Sequence, residues 1–172
     1  NTDSRASSVW QRGAEIEKRE VDRLGSRYQG SGTRLISAAE GQVGFEALST
    51  GNGLQSSCAH EIISLNPFLP SYANRAGNME RKLRDAIAGM PEAGEQLSVG
   101  SQTVIWRVGK RELIVVIPEN TTDASMRELE SVRKELTTAD LSLTIVRGYG
   151  AYAQSMTDAP QRETASPTQE EP

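Results

Sequence analysis

The stretch Gln102–Val146 constrains the fold more than any other part of the chain. It reads QTVIWRVGKRELIVVI, then a short polar loop, then an amphipathic helical run, then LSLTIV. Gly109-Lys110 fits a two-residue hairpin loop with glycine first. The register that follows sets Val108 opposite Arg111, Arg107 opposite Glu112, Trp106 opposite Leu113 and Ile105 opposite Ile114. Arg107 and Glu112 would then form an ion pair across the ladder. One face carries Val104, Trp106, Val108, Leu113, Val115 and Ile117, and the other Ile105, Ile114 and Val116. Both faces are apolar away from the turn, so this sheet should be covered on both sides.

Pro118 ends the second arm. Ser125 and Glu128 match a capping box, and Met126, Leu129, Val132 and Leu136 repeat at helical spacing behind it. Leu141–Val146 alternates as a strand. The intervening segment is long enough for a parallel crossover, which would be right-handed. In open sheets of this kind, ligands sit outside the carboxyl ends of the strands. Glu119, Asn120, Arg147 and Tyr149 stand there and form the candidate binding set.

Upstream, the pattern reads as helical. Val9–Leu24 places Trp10, Ala14, Val21 and Leu24 near one face amid alternating charge. It reads as either a surface-packed helix or a partner-binding arm, with Arg12, Arg19 and Arg23 as candidate contacts; as an arm, its removal should leave the sheet folded. Thr33–Ser49 carries Leu35, Ala39, Val43 and Ala47 at four-residue steps, weakened by Gly41 and Gly44. Leu54–Leu65 places Leu54, Cys58, Ile62 and Leu65 on one helical face. Asn66–Pro70 ends it, since proline restricts the residue before it. Asn78 is an N-cap candidate for a helix with Met79, Leu83, Ala86, Ile87 and Met90 in its stripe.

The expected architecture is therefore α+β: an N-terminal helical layer on a small mixed sheet, made of a hairpin over 102–117, a crossover helix over 125–137 and a strand over 141–146. With 172 residues, one domain is expected, spanning 9–156, helical over 9–90. Residues 1–8 are read as disordered. Thr157–Pro172, with three prolines and an acidic end, is read as a disordered acidic tail. The chain begins with Asn1, as a processed product or a piece of a longer chain would.

Composition narrows the chemistry. The formal net charge is −4, which argues against a dedicated nucleic-acid binder. Fifteen of the nineteen basic residues are arginine, which favours forked ion pairs or an interaction surface. The lone cysteine, Cys58, excludes an internal disulfide. One cysteine and one histidine cannot build a zinc site of the Cys/His kind. No apolar run reaches the roughly 18–20 residues of a membrane span, and no phosphate-binding glycine motif is present.

His60 is the one histidine, so any histidine-based acid–base chemistry would have to use it. Two residues from Cys58 on a helix, it would face away from the thiol and form no dyad with it. Arg75, Arg81, Lys82 and Arg84 make a basic cluster diluted by Glu80 and Asp85, read as a solvated helix face. No catalytic residue, metal site or cofactor is assigned.

The order helix, hairpin, helix, strand resembles that of restriction-endonuclease-like nucleases. That likeness implies metal-binding acids on the hairpin with a lysine two residues after the second. Here Trp106 and Ile117 occupy the acid positions, and no lysine follows Glu119 at that spacing. The leading expectation is a non-enzymatic protein-interaction or assembly module of a larger bacterial or phage complex. The alternative is an effector or toxin domain acting on nucleic acid, with His60, Glu61 and Glu119 as its candidates and a divalent metal as its possible aid.

Overall fold

The computed structural model describes residues 2–38, 44–51, 57–98, 105–148 and 150, and of residues 2–11 and 98 the backbone alone. In chain order the elements are α1 (Thr2–Arg27), β1 (Arg34–Ser37), β2 (Ala47–Thr50), β3 (Ser57–Ser64), α2 (Pro70–Ala73), α3 (Asn78–Gly89), β4 (Gln96–Ser98), β5 (Ile105–Ile117), α4 (Asp123–Leu136) and β6 (Leu141–Arg147). The sheet is mixed and six-stranded, with order β1-β2-β3-β5-β4 and β6 also on β5. The α+β class and the mixed sheet hold.

β5 organises the sheet. It runs unbroken through Gly109-Lys110, so the hairpin expected over 102–117 does not form. Instead the pairing with β3 passes from Ser57↔Val108 to Cys58↔Lys110, which leaves Gly109 as the extra residue of a bulge. A bulge and a tight turn both recruit a glycine between apolar runs, and here the bulge wins because β3 pairs with β5 on both sides of Gly109 and holds the strand extended. β3 and β6 flank it in parallel, and β4 pairs antiparallel with Ile105–Arg107. The antiparallel partner of residues 105–107 is thus β4 rather than residues 112–114; residues 102–104 lie outside the described ones. Glu112, expected opposite Arg107, sits beside His60 on β3.

Two crossovers, β3 to β5 through α3 and β5 to β6 through α4, place both helices on one face. There Ile63, Leu113, Val115, Leu129, Leu83 and Met79 belong to one buried cluster. The second crossover follows expectation, with α4 starting earlier: Thr122 is its N-cap, accepting from Ser125 N at 3.3 Å. Likewise α3 starts at Asn78 itself, with Gly77 as its cap.

The helical readings over 33–49 and 54–65 are overturned. Those segments supply β1, β2 and β3, joined antiparallel as Leu35↔Ser49 and Leu48↔Ala59. Apolar residues four apart satisfy a strand's period of two as well as a helix turn, and Ile62-Ile63 favours the strand. Gly44, at φ 98°, lies against α3: a Cβ there would meet Gly89 O at 2.2 Å. Gly41 and residues 157–172 lie outside the described residues.

α1 covers the other face. It runs from Thr2 to Arg27. Leu24, 0 % exposed, joins Ile62, Ile114 and Val116 in a second core, with Ile16 and Val21 against it. The helix is a structural layer, which corrects its reading as a detachable arm. Leu24→Ala should cost about 2–5 kcal/mol, read as a lower urea midpoint. A loss under about 1 kcal/mol would restore the arm reading.

Candidate functional site

The three parallel strands β3, β5 and β6 end together at Ser64, Ile117 and Arg147. Outside those ends lies a cavity of about 210 Å³. Arg12, Gly13 and Ile16 of α1 wall one side; Ser64, Leu65 and Asn66 wall another; Pro118, Gly148 and Gly150 close the strand exits. α1 comes this close because residue 13 is glycine: a Cβ there would stand 3.0 Å from Ser64 Oγ. The hollow lies outside the carboxyl ends of the parallel strands, where ligands of open sheets collect.

The candidate residues distribute unevenly around it. Arg12 lines the cavity. Arg147 Nη1 donates to the Glu119 carbonyl at 3.4 Å, and Glu119 N donates to Gly150 O at 3.2 Å, so these exits are tied together. Glu119 and Asn120 are exposed in the turn after β5, and Tyr149 lies outside the described residues. Arg19 is exposed on α1. Arg23 is held by the buried Glu20, its Nε donating to both carboxylate oxygens at 2.8 and 2.9 Å. Of the basic cluster, Arg84 pairs with Glu80 at 2.8 Å and with Glu135, and Arg75, Arg81 and Lys82 are exposed.

A second arrangement runs across the sheet beneath the C-terminal end of α1. Ser49 Oγ lies 2.7 Å from His60 Nε2, His60 Nδ1 lies 2.9 Å from Glu112 Oε2, and Thr144 Oγ1 donates to Glu112 Oε1 at 2.6 Å. A carboxylate only accepts, so His60 Nδ1 donates to Glu112, while a hydroxyl can either donate to Nε2 or accept from it. The order serine, histidine, carboxylate is that of a nucleophile, its base and the group that orients the base. Yet His60 is 0 % exposed and Ser49 4 %, and none of the four lines the cavity. The Tyr28 ring covers His60 at 6.0 Å, and Arg27 reaches Glu112 at 3.8 Å. This is a satisfied buried network that ties β2, β3, β5 and β6 together.

Burial raises the Glu112 pKa, but the hydrogen bonds from His60 and Thr144, with the charges of His60 and Arg27, outweigh it and hold the group at about 2. On a strand, Cys58 and His60 share a face, which corrects the helical argument that they diverge. Burial and the Glu112 charge push the Cys58 thiol up to about 12, so it is no thiolate nucleophile.

A third cluster guards the stretch of β3 that β2 does not pair. Glu46 Oε2 accepts from Ile62 N at 2.6 Å, and Glu17 Oε1 accepts from Ser64 N and Oγ, both at 3.3 Å. Burial, then the neighbouring Glu61 charge, raises Glu46 to about 8. Glu61 and Glu17 are also raised, in each case chiefly by burial. Reading residues 54–65 as a strand would have flagged both carboxylate sets, since it puts His60 and Glu61 on opposite faces of a core strand.

No protein-family model and no curated protein matches the chain. Among solved structures, a chain of a CdiA-CT/CdiI toxin and immunity complex from Yersinia pseudotuberculosis is similar. Its TM-score is 0.50 at 11 % identity, covering 75 % of this chain and 98 % of that one. At that identity the likeness concerns the fold alone.

The two carboxylates act in opposite directions with pH. Glu112 falls from an ordinary 4.5 to about 2 on folding, so its contribution is present above 4.5 and lost as pH falls toward 2. Glu46 rises from 4.5 to about 8, so its contribution is present below 4.5 and lost as pH rises through 8. In urea titrations across that range, Glu112→Gln should flatten the acid limb. Glu46→Gln, which keeps an acceptor for Ile62 N and has no proton to lose, should flatten the alkaline limb.

Proposed function

We propose that this domain works by binding a protein partner, as one member of a two-protein pair, through the outer edge of β6. The observation that carries the reading is the direction of that strand's backbone groups. Arg111 N donates to Asp140 O at 2.7 Å and Gly148 N to Ile117 O at 3.1 Å, so the even-numbered residues of β6 face β5. Leu141 turns outward and is met by Thr138, whose N donates to its carbonyl at 2.9 Å. Leu143, Ile145 and Arg147 also turn outward, and their backbone groups have no partner among the described residues. An unpaired edge of this length is a template for an incoming strand. The edge carries no lysine or proline to blunt it; Arg147, at its end, is its one charged residue.

The fold likeness to a chain from a two-protein complex supports the same reading. The edge adds Arg147 to the interaction surface, whereas Arg19 contributes only an exposed charge on α1. No helix among the described residues is long and apolar enough to cross a membrane.

Ile145→Pro tests the mode of binding. Proline removes an outward N–H and leaves the bonds to β5 intact. The variant should keep its thermal midpoint within about 5 °C and lose about tenfold or more in affinity for the partner that the unmodified chain retains. Hydrogen exchange on the complex should show new protection at the Leu143, Ile145 and Arg147 amides. Unchanged affinity, or protection confined to other elements, overturns the edge as the docking surface.

A second reading, an effector acting on nucleic acid, draws on the toxin named for the same neighbour. Its three candidates are not brought to one place. His60 is buried with Ser49 and Glu112, Glu61 turns to the opposite face, and Glu119 is exposed beyond β5. Among the described residues, no group of three or more His, Cys, Asp or Glu side chains could hold a metal ion. RNA and DNA incubated with the protein, with and without Mg²⁺, should remain intact; metal-dependent cleavage would favour this reading over partner binding.

A further inference from the structure

We propose that the cavity at the carboxyl ends of β3, β5 and β6 binds a short-chain carboxylate, its apolar tail in the hollow and its head group on Arg12. This goes beyond partner binding and does not depend on it, since the cavity lies under α1 rather than on the outer edge of β6.

The lining states the chemistry. Ile16, Leu65, Leu69, Val116 and Ile117 make a largely apolar interior. A hydrated ion such as free phosphate would lose its water there without replacement. The polar groups not already engaged are donors. The Arg12 guanidinium makes no ion pair among the described residues, and the Tyr72 hydroxyl makes no hydrogen bond among them. Asn66 uses Oδ1 to accept from Phe68 N at 3.1 Å, which leaves its Nδ2 without a partner among the described residues. The Ser64 hydroxyl is occupied with Glu17. A cationic fork and two neutral donors beside an apolar hollow match an acceptor-only head group on an apolar chain.

Size limits the tail. About 210 Å³ corresponds to roughly seven water volumes at ~30 Å³ each, below the ~300–1,000 Å³ of pockets for drug-sized ligands. That is room for roughly ten non-hydrogen atoms, the scale of octanoate. The position is where ligands of parallel sheets collect, and Gly13 lets α1 stand close enough to Ser64 to wall the hollow.

Octanoate and 1-octanol, titrated into the full chain and followed by amide chemical shifts, test the proposal. Octanoate should bind saturably and move the Leu65, Val116 and Gly148 amides, with octanol about tenfold weaker or more. Arg12→Gln, a change at an exposed side chain, should reduce octanoate to the level of octanol while leaving octanol unchanged. Tyr72→Phe should weaken octanoate by a few-fold. Equal binding of acid and alcohol, full octanoate affinity in Arg12→Gln, shifts mapping away from the strand ends, or no saturable binding would each overturn it. Retention of the protein partner by Arg12→Gln would show that the two functions are separate.

Discussion

The parallel register between β3 and β5 is the constraint on which the rest of the domain depends. Setting His60 beside Glu112 also sets Ile62 beside Ile114 and Ser64 beside Val116. A slip of one residue would send every side chain of one strand to the wrong layer. It would carry Glu112 away from its histidine and into the core beneath α3 and α4. The bulge at Gly109 allows one strand to serve two pairings: β4 takes its first residues, while β3 and β6 enclose its apolar half.

The buried polar network follows from that register and helps to enforce it. Glu112 is ionised in the core because β3, β6 and α1 supply it with His60, Thr144 and Arg27 as partners, and removing one partner would leave a buried charge uncompensated. Shape complementarity alone would tolerate several apolar alignments of Ile62, Ile63, Ile114 and Val115. A carboxylate with one acceptable position is more selective. The same register brings three strands to a common end, which gives the cavity a floor, and α1 gives it a wall.

Much of this was legible from local pattern, and the losses have physical causes. The crossover helix and β6 could be read because each has one unambiguous period and a connection of ordinary length. The stripe from Met79 to Met90 was equally plain. Residues 33–65 misled because Leu35 and Ala39, or Cys58 and Ile62, stand four apart, a spacing that helix and strand share. β1 and β2 are only four residues each, too short for alternation to declare itself. The hairpin failed at one residue, since a glycine that reverses a chain and one that bulges it look alike in sequence. Topology pointed to the carboxyl ends of the strands, but the place of Arg12 at the hollow required knowing where α1 docks. The Ser49–His60–Glu112 contacts join residues 11 and 52 positions apart, and no local pattern records that.

The carboxylates on β3 give the sheet a polarity of its own. Glu46 and Glu17 stand in for a neighbouring strand at Ile62 and Ser64, so amides that would otherwise recruit foreign backbone are occupied by side chains of the same chain. Beside them β1 offers only a four-residue margin. On the opposite side no side chain among the described residues guards β6 in this way beyond Leu141. With the edge of β6 as the docking surface proposed above, the sheet would lengthen on that side. A partner added at β6 would continue the array laterally, and the guarded flank would stop that growth from propagating into a fibre.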